Sequence, residues 1–197
     1  MKKLLIVLLF PCTLQAQVIY PMVVNQSQLS WEGNPLVGGG HTGTIGFKYG
    51  TISTNESGTI LKGEFVLNMH TLENADIDDE QSAKDLVNHL KSDDFFSVKK
   101  FPEASFEITK AARAFKYARE NEYEITGLLT IRGITHPISF PANIKIENGV
   151  IKADAKITID RTKWGVNYQS KSIFASLKDG IIADEIIIVL RLVFDNC

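Results

Sequence analysis

From Ile151 to Ile159 apolar or small side chains occupy every odd position and polar ones every even position. A period of two gives a strand one dry face and one wet face. The run from Ile138 to Ile146 has the same character, and Asn148-Gly149 lies between the two. Asn-Gly flanked by alternating segments signals a tight hairpin, because both turn positions need positive φ. The spacing therefore predicts an antiparallel pair of 138–146 with 150–159. Further strands are predicted at Glu122–Arg132, with Gly133 marking its tight exit, and at Phe106–Lys110, Thr59–Met69 and Thr42–Tyr49. Turns such as Asn55 to Gly58 separate them. Glu185–Phe194 is apolar on both faces apart from Arg191, the pattern of a strand covered on both sides.

One segment breaks the period. In Ser82–Leu90, Leu86, Val87 and Leu90 form an i, i+1, i+4 apolar stripe, and Ser82 with Asp85 has the spacing of a capping box. A short amphipathic helix is predicted there, and Thr162–Asp179 reads as loop with helical turns. The fold class is thus all-β: an antiparallel, eight-stranded, up-and-down barrel with one or two short helices, closure removing exposed edges.

Inward faces follow from the alternation: Ile45, Phe47 and Tyr49; Leu61, Phe65 and Leu67; Phe106 and Ile108; Tyr123, Ile125, Leu129 and Ile131; Ile138, Phe140 and Ile144; Ile157 and Ile159; Ile186, Ile188, Leu190 and Leu192. Small residues such as Gly63, Gly127, Ala142 and Ala153 are interspersed. An eight-stranded barrel either fills itself with side chains or holds one small ligand. Apolar walls with space describe a pocket for a lipid-like molecule, whereas large side chains that meet would make a dry core. Periodicity alone does not choose.

Composition changes the picture mainly at the N-terminus. Met1-Lys2-Lys3 precedes the apolar run Leu4–Phe10 and then Leu14-Gln15-Ala16, a secretory signal peptide too short to span a membrane. Removing sixteen of 197 residues leaves 181, residues 17–197, the size of one barrel domain. Lys2 and Lys3 go with it, taking the formal charge from −2 to −4. That balance argues against nucleic acid, whose binders carry a basic excess. Cys12 lies in the signal peptide, where Phe10 and Pro11 stand in place of the small residues of an acylation site. Cys197 alone remains, so no internal disulfide supports the exported fold. The expected product is periplasmic or secreted.

Candidate chemistry is sparse. His41, His70, His89 and His136 show no i+2, i+3 or i+4 pairing of the zinc type. The acidic run Asp76–Glu80 lacks the glycine and closing glutamate of a calcium loop and reads as a solvated turn before a helix. Gly38–His41 lacks a phosphate-loop ending, and no nucleophile elbow or His-Glu-x-x-His is present. A dispersed Ser/His/Asp set is recognised by geometry, not chain order, and no local motif points to one. No catalytic residue, metal ligand or cofactor is expected.

Three blocks carry a resemblance. They are Asp85–Phe96 followed by Phe101–Phe106, Gly127–Ile138 with its Arg132-Gly133 and His136-Pro137, and Ile159–Val166 with Asp160-Arg161 and Trp164-Gly165. In that order, and with Gly63-Glu64-Phe65, they resemble the YceI-like, or polyisoprenoid-binding, domain family across most of the mature chain. Trp31 to Gly33 and Gly40 to Gly43 depart from the commoner pattern. The resemblance implies a lipocalin-like extended barrel, export to the periplasm, an apolar tunnel for an isoprenoid or other long-chain lipid, frequent dimerisation and no catalytic residues. Leu86, Leu90, Phe95 and Phe96 would then lie across the tunnel mouth. The tunnel-lining candidates are Phe47, Phe65, Leu86, Leu90, Phe95, Phe96, Phe106, Ile125, Leu129, Phe140, Trp164 and Ile188. Asp160-Arg161 reads as an ion pair or backbone anchor at a strand end. Burying one five-carbon prenyl unit yields about 3–4 kcal/mol. The leading function is a non-catalytic lipid carrier; the alternative is a stress-related or structural module with a side-chain-filled barrel that binds a protein partner.

Overall fold

Asn148 and Gly149 both take positive φ (51° and 78°), and the strands they join pair with Val150 opposite Glu147 and Ala155 opposite Ala142. Arg132 and Gly133 (φ 52° and 72°) make a second turn of the same kind, bringing Ile131 opposite Ile134. These two turns fix the register of three consecutive strands. The computed structural model describes residues 16–35, 39–113, 121–173 and 181–196. The expected signal peptide up to Gln15, with Cys12, and the terminal Cys197 lie outside them.

Eleven strands form one sheet. They are β1 (Gln17–Pro21), β2 (Gln28–Pro35), β3 (His41–Ile45), β4 (Phe47–Asn55), β5 (Ile60–Asn68), β6 (Glu73–Asn74), β7 (Glu103–Arg113), β8 (Glu122–Ile131), β9 (Ile134–Glu147), β10 (Val150–Asp160) and β11 (Ile182–Asp195). The order is β1-β4-β5-β7-β8-β9-β10-β11-β2-β3-β6, antiparallel throughout. Eleven strands, against the eight expected, arise because two staves of the barrel are each broken in two and β6 adds a short edge. β1 and β2 are one bent path: β1 pairs with β4, β2 pairs with β11, and the 3-10 turn Val24–Gln26 lies between. At the bend, the Met22 amide donates to Gly50 (2.9 Å) and the Val23 amide to Val193 (2.8 Å), while Met22 also bridges Phe194. One segment thus joins both edges and closes the barrel. β3 and β4 are likewise one path interrupted at Gly46, so the expected strand Thr42–Tyr49 is two.

Bulges correct two inward assignments. The β4–β5 register shifts between Phe47 and Tyr49, and a bulge reverses alternation beyond it. Tyr49 therefore stands outside, its hydroxyl donating to Glu64 (2.9 Å). A second shift at Ser53/Thr54 puts Ile60 in the core instead of Leu61. The outward Ile187, Val189 and Val193 of β11 are half-buried rather than covered, against expectation. Cross-strand neighbours Thr158 and Glu32 flank Ile187, and Lys156 and Ser30 flank Val189, so their stems supply part of the shielding.

The expected helix exists as α1 (Glu80–Lys91), two residues longer at its start than the apolar stripe predicts. Asp79, not Ser82, is its cap: Asp79 accepts from the Ser82 amide (2.9 Å) and hydroxyl (2.6 Å). Two more 3-10 turns, Met69–Thr71 and Arg161–Trp164, make up the remaining helical structure among the described residues.

Candidate functional site

The barrel interior has two parts. At the end where β1, β4 and β5 meet the β9–β10 hairpin, Tyr20, Ile60, Tyr123, Ile151 and Phe194 fill the space, and Ile151 and Phe194 are completely enclosed. At the other end lies a cavity of about 350 Å³, walled by Phe47, Phe65, Phe106, Ile125, Leu129, Phe140, Ile188 and other apolar side chains. The aromatic rings run in a ladder: Phe194 meets Phe65 edge-on at 5.9 Å, Phe65 stacks on Phe106 at 6.2 Å, and Phe106 meets Phe140 at 5.5 Å. Glycine makes this possible. A Cβ on Gly127 would sit 2.3 Å from the Phe106 ring, so the ring can lie flat against the neighbouring strand only where that strand has no side chain.

The cavity opens toward α1 and the turn that follows it. Leu86 and Leu90 of α1, with Phe95 and Phe96, line the opening. No residue of α1 is fully buried, so its attachment rests on a few contacts. The Phe96 amide donates to Leu90, Lys91 Nζ donates to the His70 carbonyl (2.8 Å), and His89 packs edge-on against Phe95 and Tyr168 (5.1 and 4.7 Å). Phe95 itself is buried and its carbonyl accepts from Arg132, which also reaches the Gly165 carbonyl (3.1 Å).

Arg161 organises the rim. Its side chain is 2% exposed and lies 5.9 Å from the Phe95 ring centre. The guanidinium donates to the carbonyls of Ala183 (3.0 Å), Val166 (2.8 Å) and Ile182 (3.3 Å), and its charge partner is Asp184 at 3.7 Å. It is therefore a backbone anchor paired with Asp184, while Asp160 caps the following turn through the Thr162 amide and hydroxyl (3.0 and 2.6 Å). Burial lowers the Arg161 pKa, opposed by the Asp184 and Asp160 charges. Burial pushes the Asp184 carboxyl up, but hydrogen bonds from Ser170 and Ser172 and the Arg161 charge bring it below the ordinary carboxylate value.

Of the twelve lining candidates, the structure places eleven on the cavity wall: Phe47, Phe65, Leu86, Leu90, Phe95, Phe96, Phe106, Ile125, Leu129, Phe140 and Ile188. Trp164 is not among the wall residues. It is 1% exposed behind the wall, its indole donating to the Leu129 carbonyl (3.1 Å) and meeting His136 edge-on. The αL conformation of Gly165 ends its turn and directs the ring inward. Sequence reasoning missed several apolar wall residues, Leu29, Ile52, Met69 and Leu72 among them, and three whose side chains carry polar groups, Trp31, His41 and Arg161. Trp31 Nε1 is buried without a hydrogen-bond partner, and buried His41 Nδ1 has only Asp76 at 3.4 Å. The alternation of Leu29, Trp31 and Gly33 was the available signal for the first. Ser105, Asp154 and Glu185 also border the cavity, but alternate with inward-facing neighbours.

The remaining histidines are dispersed: His70 is exposed, His89 lies 3.4 Å from Asp94, and His136 Nε2 lies 2.9 Å from the Lys163 carbonyl. Among the described residues no group of three or more His, Cys, Asp or Glu is placed to hold a metal, and no helix is long and apolar enough to cross a membrane.

Comparison with known proteins agrees with this geometry. A UPF0312 protein of Pseudomonas putida (strain W619) is 42% identical over 59 residues, 30% of this chain and 29% of that protein. Protein YceI of Salmonella arizonae is 32% identical over 74 residues, 38% of this chain and 35% of its own length. The matched stretches thus span about a third of these relatives. The crystal structure of Burkholderia cenocepacia BcnA superposes with a TM-score of 0.69 at 20% identity, covering 87% of this chain and 98% of that one. A polyisoprenoid binding domain from Saccharophagus degradans, implicated in plant cell wall breakdown, superposes with a TM-score of 0.62 at 12% identity, covering 90% and 98%. At such identities the likeness is one of fold. The family model for the YceI-like domain matches residues 20–194, from the strand that closes the barrel to the phenylalanine that fills its far end, and the chain belongs to that family.

Proposed function

We propose that this protein is a non-catalytic container for an amphiphilic lipid, its isoprenoid or acyl tail held in the barrel cavity. The observation that carries this reading is the cavity of about 350 Å³ between apolar walls. Apolar space of that size is unfavourable to fill with water and favourable to fill with hydrocarbon, at about 0.8 kcal/mol per CH₂. It lies within the range of small-molecule pockets, about 300–1,000 Å³. A side-chain-filled barrel would leave no such space, which weighs against the interaction-module alternative. The Saccharophagus degradans neighbour, described as a polyisoprenoid binding domain, supports the same ligand class. The signal-like residues 1–16 support a periplasmic or secreted location.

The test is native mass spectrometry and solvent extraction of protein purified without detergent, beside Leu129→Trp. Leu129 is 8% exposed and lines the cavity, so an indole there occupies ligand volume. A chain-bearing lipid recovered from the native protein and lost from the folded variant is the expected result. Equal lipid content in both, or none in either after incubation with prenols and fatty acids, refutes it.

A further inference from the structure

The cavity is blind at its far end, and its depth is set by a few side chains. The wall residues Ile52, Ile144 and Leu192 adjoin the packed end: Ile52 stands opposite Tyr20, Leu192 is two positions before Phe194, and Leu192 and Ile144 flank Ala153. Beyond them Phe194 and Ile151, both 0% exposed, belong to the core but not to the wall. Phe194 stands edge-on to Phe65 at 5.9 Å, so its ring is the next group a penetrating chain would meet. At the opposite end, Arg161 is anchored to the start of β11 at the rim, beside Phe95. A tail entering methyl-first would leave its polar head there.

Volume sets the scale. An apolar cavity of about 150 Å³ accepts benzene, six carbons. By the same ratio a cavity of about 350 Å³ seats on the order of fourteen carbons. Resting on the container reading above, we infer that Phe194 and Leu192 form a chain-length stop, so that the buried part of a tail is limited to about fourteen carbons, an acyl chain of that length or three prenyl units. Longer tails bind by the same buried portion and leave the remainder outside beneath α1.

Straight-chain fatty acids of eight to twenty carbons, each below its micellar concentration, test this by displacement of a fluorescent probe from the full chain. Affinity is expected to rise about fourfold per carbon, the ratio set by about 0.8 kcal/mol per CH₂, and to flatten near fourteen. In Phe194→Ala the break moves to longer chains by about two to four carbons. In Leu192→Phe, which adds volume and opens no void, it moves to shorter ones. If Phe194→Ala fails to fold by circular dichroism, Leu192→Phe decides alone. Affinity that climbs steadily to twenty carbons, or a break unmoved in folded Leu192→Phe, overturns the stop while leaving the container intact. No binding at any length overturns the container and the stop together.

Discussion

The two ends of the barrel are built from the same kinds of strands and residues yet hold themselves together differently. At the packed end, Tyr20, Ile60, Tyr123, Ile151 and Phe194 are buried in the apolar core and none of them borders the cavity. At the open end the inward side chains face a cavity, and order comes from polar anchors: Arg161 on three carbonyls, Arg132 on Phe95 and Gly165, and Trp164 on Leu129. The packed end draws its stability from contact, while the open end has given up contact and compensates with hydrogen bonds to its own backbone. A container needs both, because an empty interior cannot stabilise its own walls.

The largest effect is expected where a polar anchor is removed. Arg161→Ala leaves Asp184 without its charge partner and takes a charged donor from three carbonyls. A loss of about 3–5 kcal/mol, read from urea denaturation, is expected. A loss below about 1 kcal/mol would show that the rim does not depend on it.

A matched pair sharpens the contrast between the ends. Ile151→Ala, at a fully enclosed position, is expected to cost about 3 kcal/mol. Ile188→Ala, on the cavity wall, is expected to cost about 1 kcal/mol, because much of the void it would create is already there. Equal losses would mean that the cavity is filled in the folded protein, and ligand extraction followed by remeasurement would tell by what.

The smallest effect is local and depends on pH. Hydrogen bonds from the Ser82 hydroxyl and amide hold the Asp79 carboxyl below its ordinary value. A depressed carboxyl pKa stabilises the folded form at pH above the unfolded value, about 3.9, and that contribution fades as pH falls through the folded value. The protection of the α1 amides, measured against their intrinsic exchange rates, is therefore expected to fall below about pH 4 before that of the packed end. Asp79→Asn, which keeps a capping oxygen, should remove that pH dependence while keeping most of the protection. Simultaneous loss at both ends would mean that α1 is not an independent lid.

Much of the site was legible in the sequence because inward alternation is local. Phe65, Phe106, Ile125, Leu129, Phe140 and Ile188 each read as inward from their own strand, and each stands on the wall. Tyr49 and Leu61 failed for one reason: a bulge inserts a residue and reverses the alternation, and nothing in the side-chain pattern announces it. Trp164 failed differently. Its turn follows the end of β10, where no period applies, and the αL residue Gly165 turns the ring behind the wall. The first strands were overlooked for two reasons: β1 is only five residues long, and in β2 the alternation of Leu29, Trp31 and Gly33 went unread.

By itself the sequence determined most of the strands, the dry face of those that run without a bulge and where the tightest turns fall, since these depend on neighbours within a few positions. Only the tertiary structure decided that eleven strands trace a closed barrel, that Arg161 pairs with Asp184 and not Asp160, and that one end is solid while the other is hollow. Closure depends on where a bent strand changes partners, and interior volume on how rings such as Phe106 lean across strands onto glycines such as Gly127. Both are sums over contacts between residues far apart in the chain, and a local pattern carries no record of them.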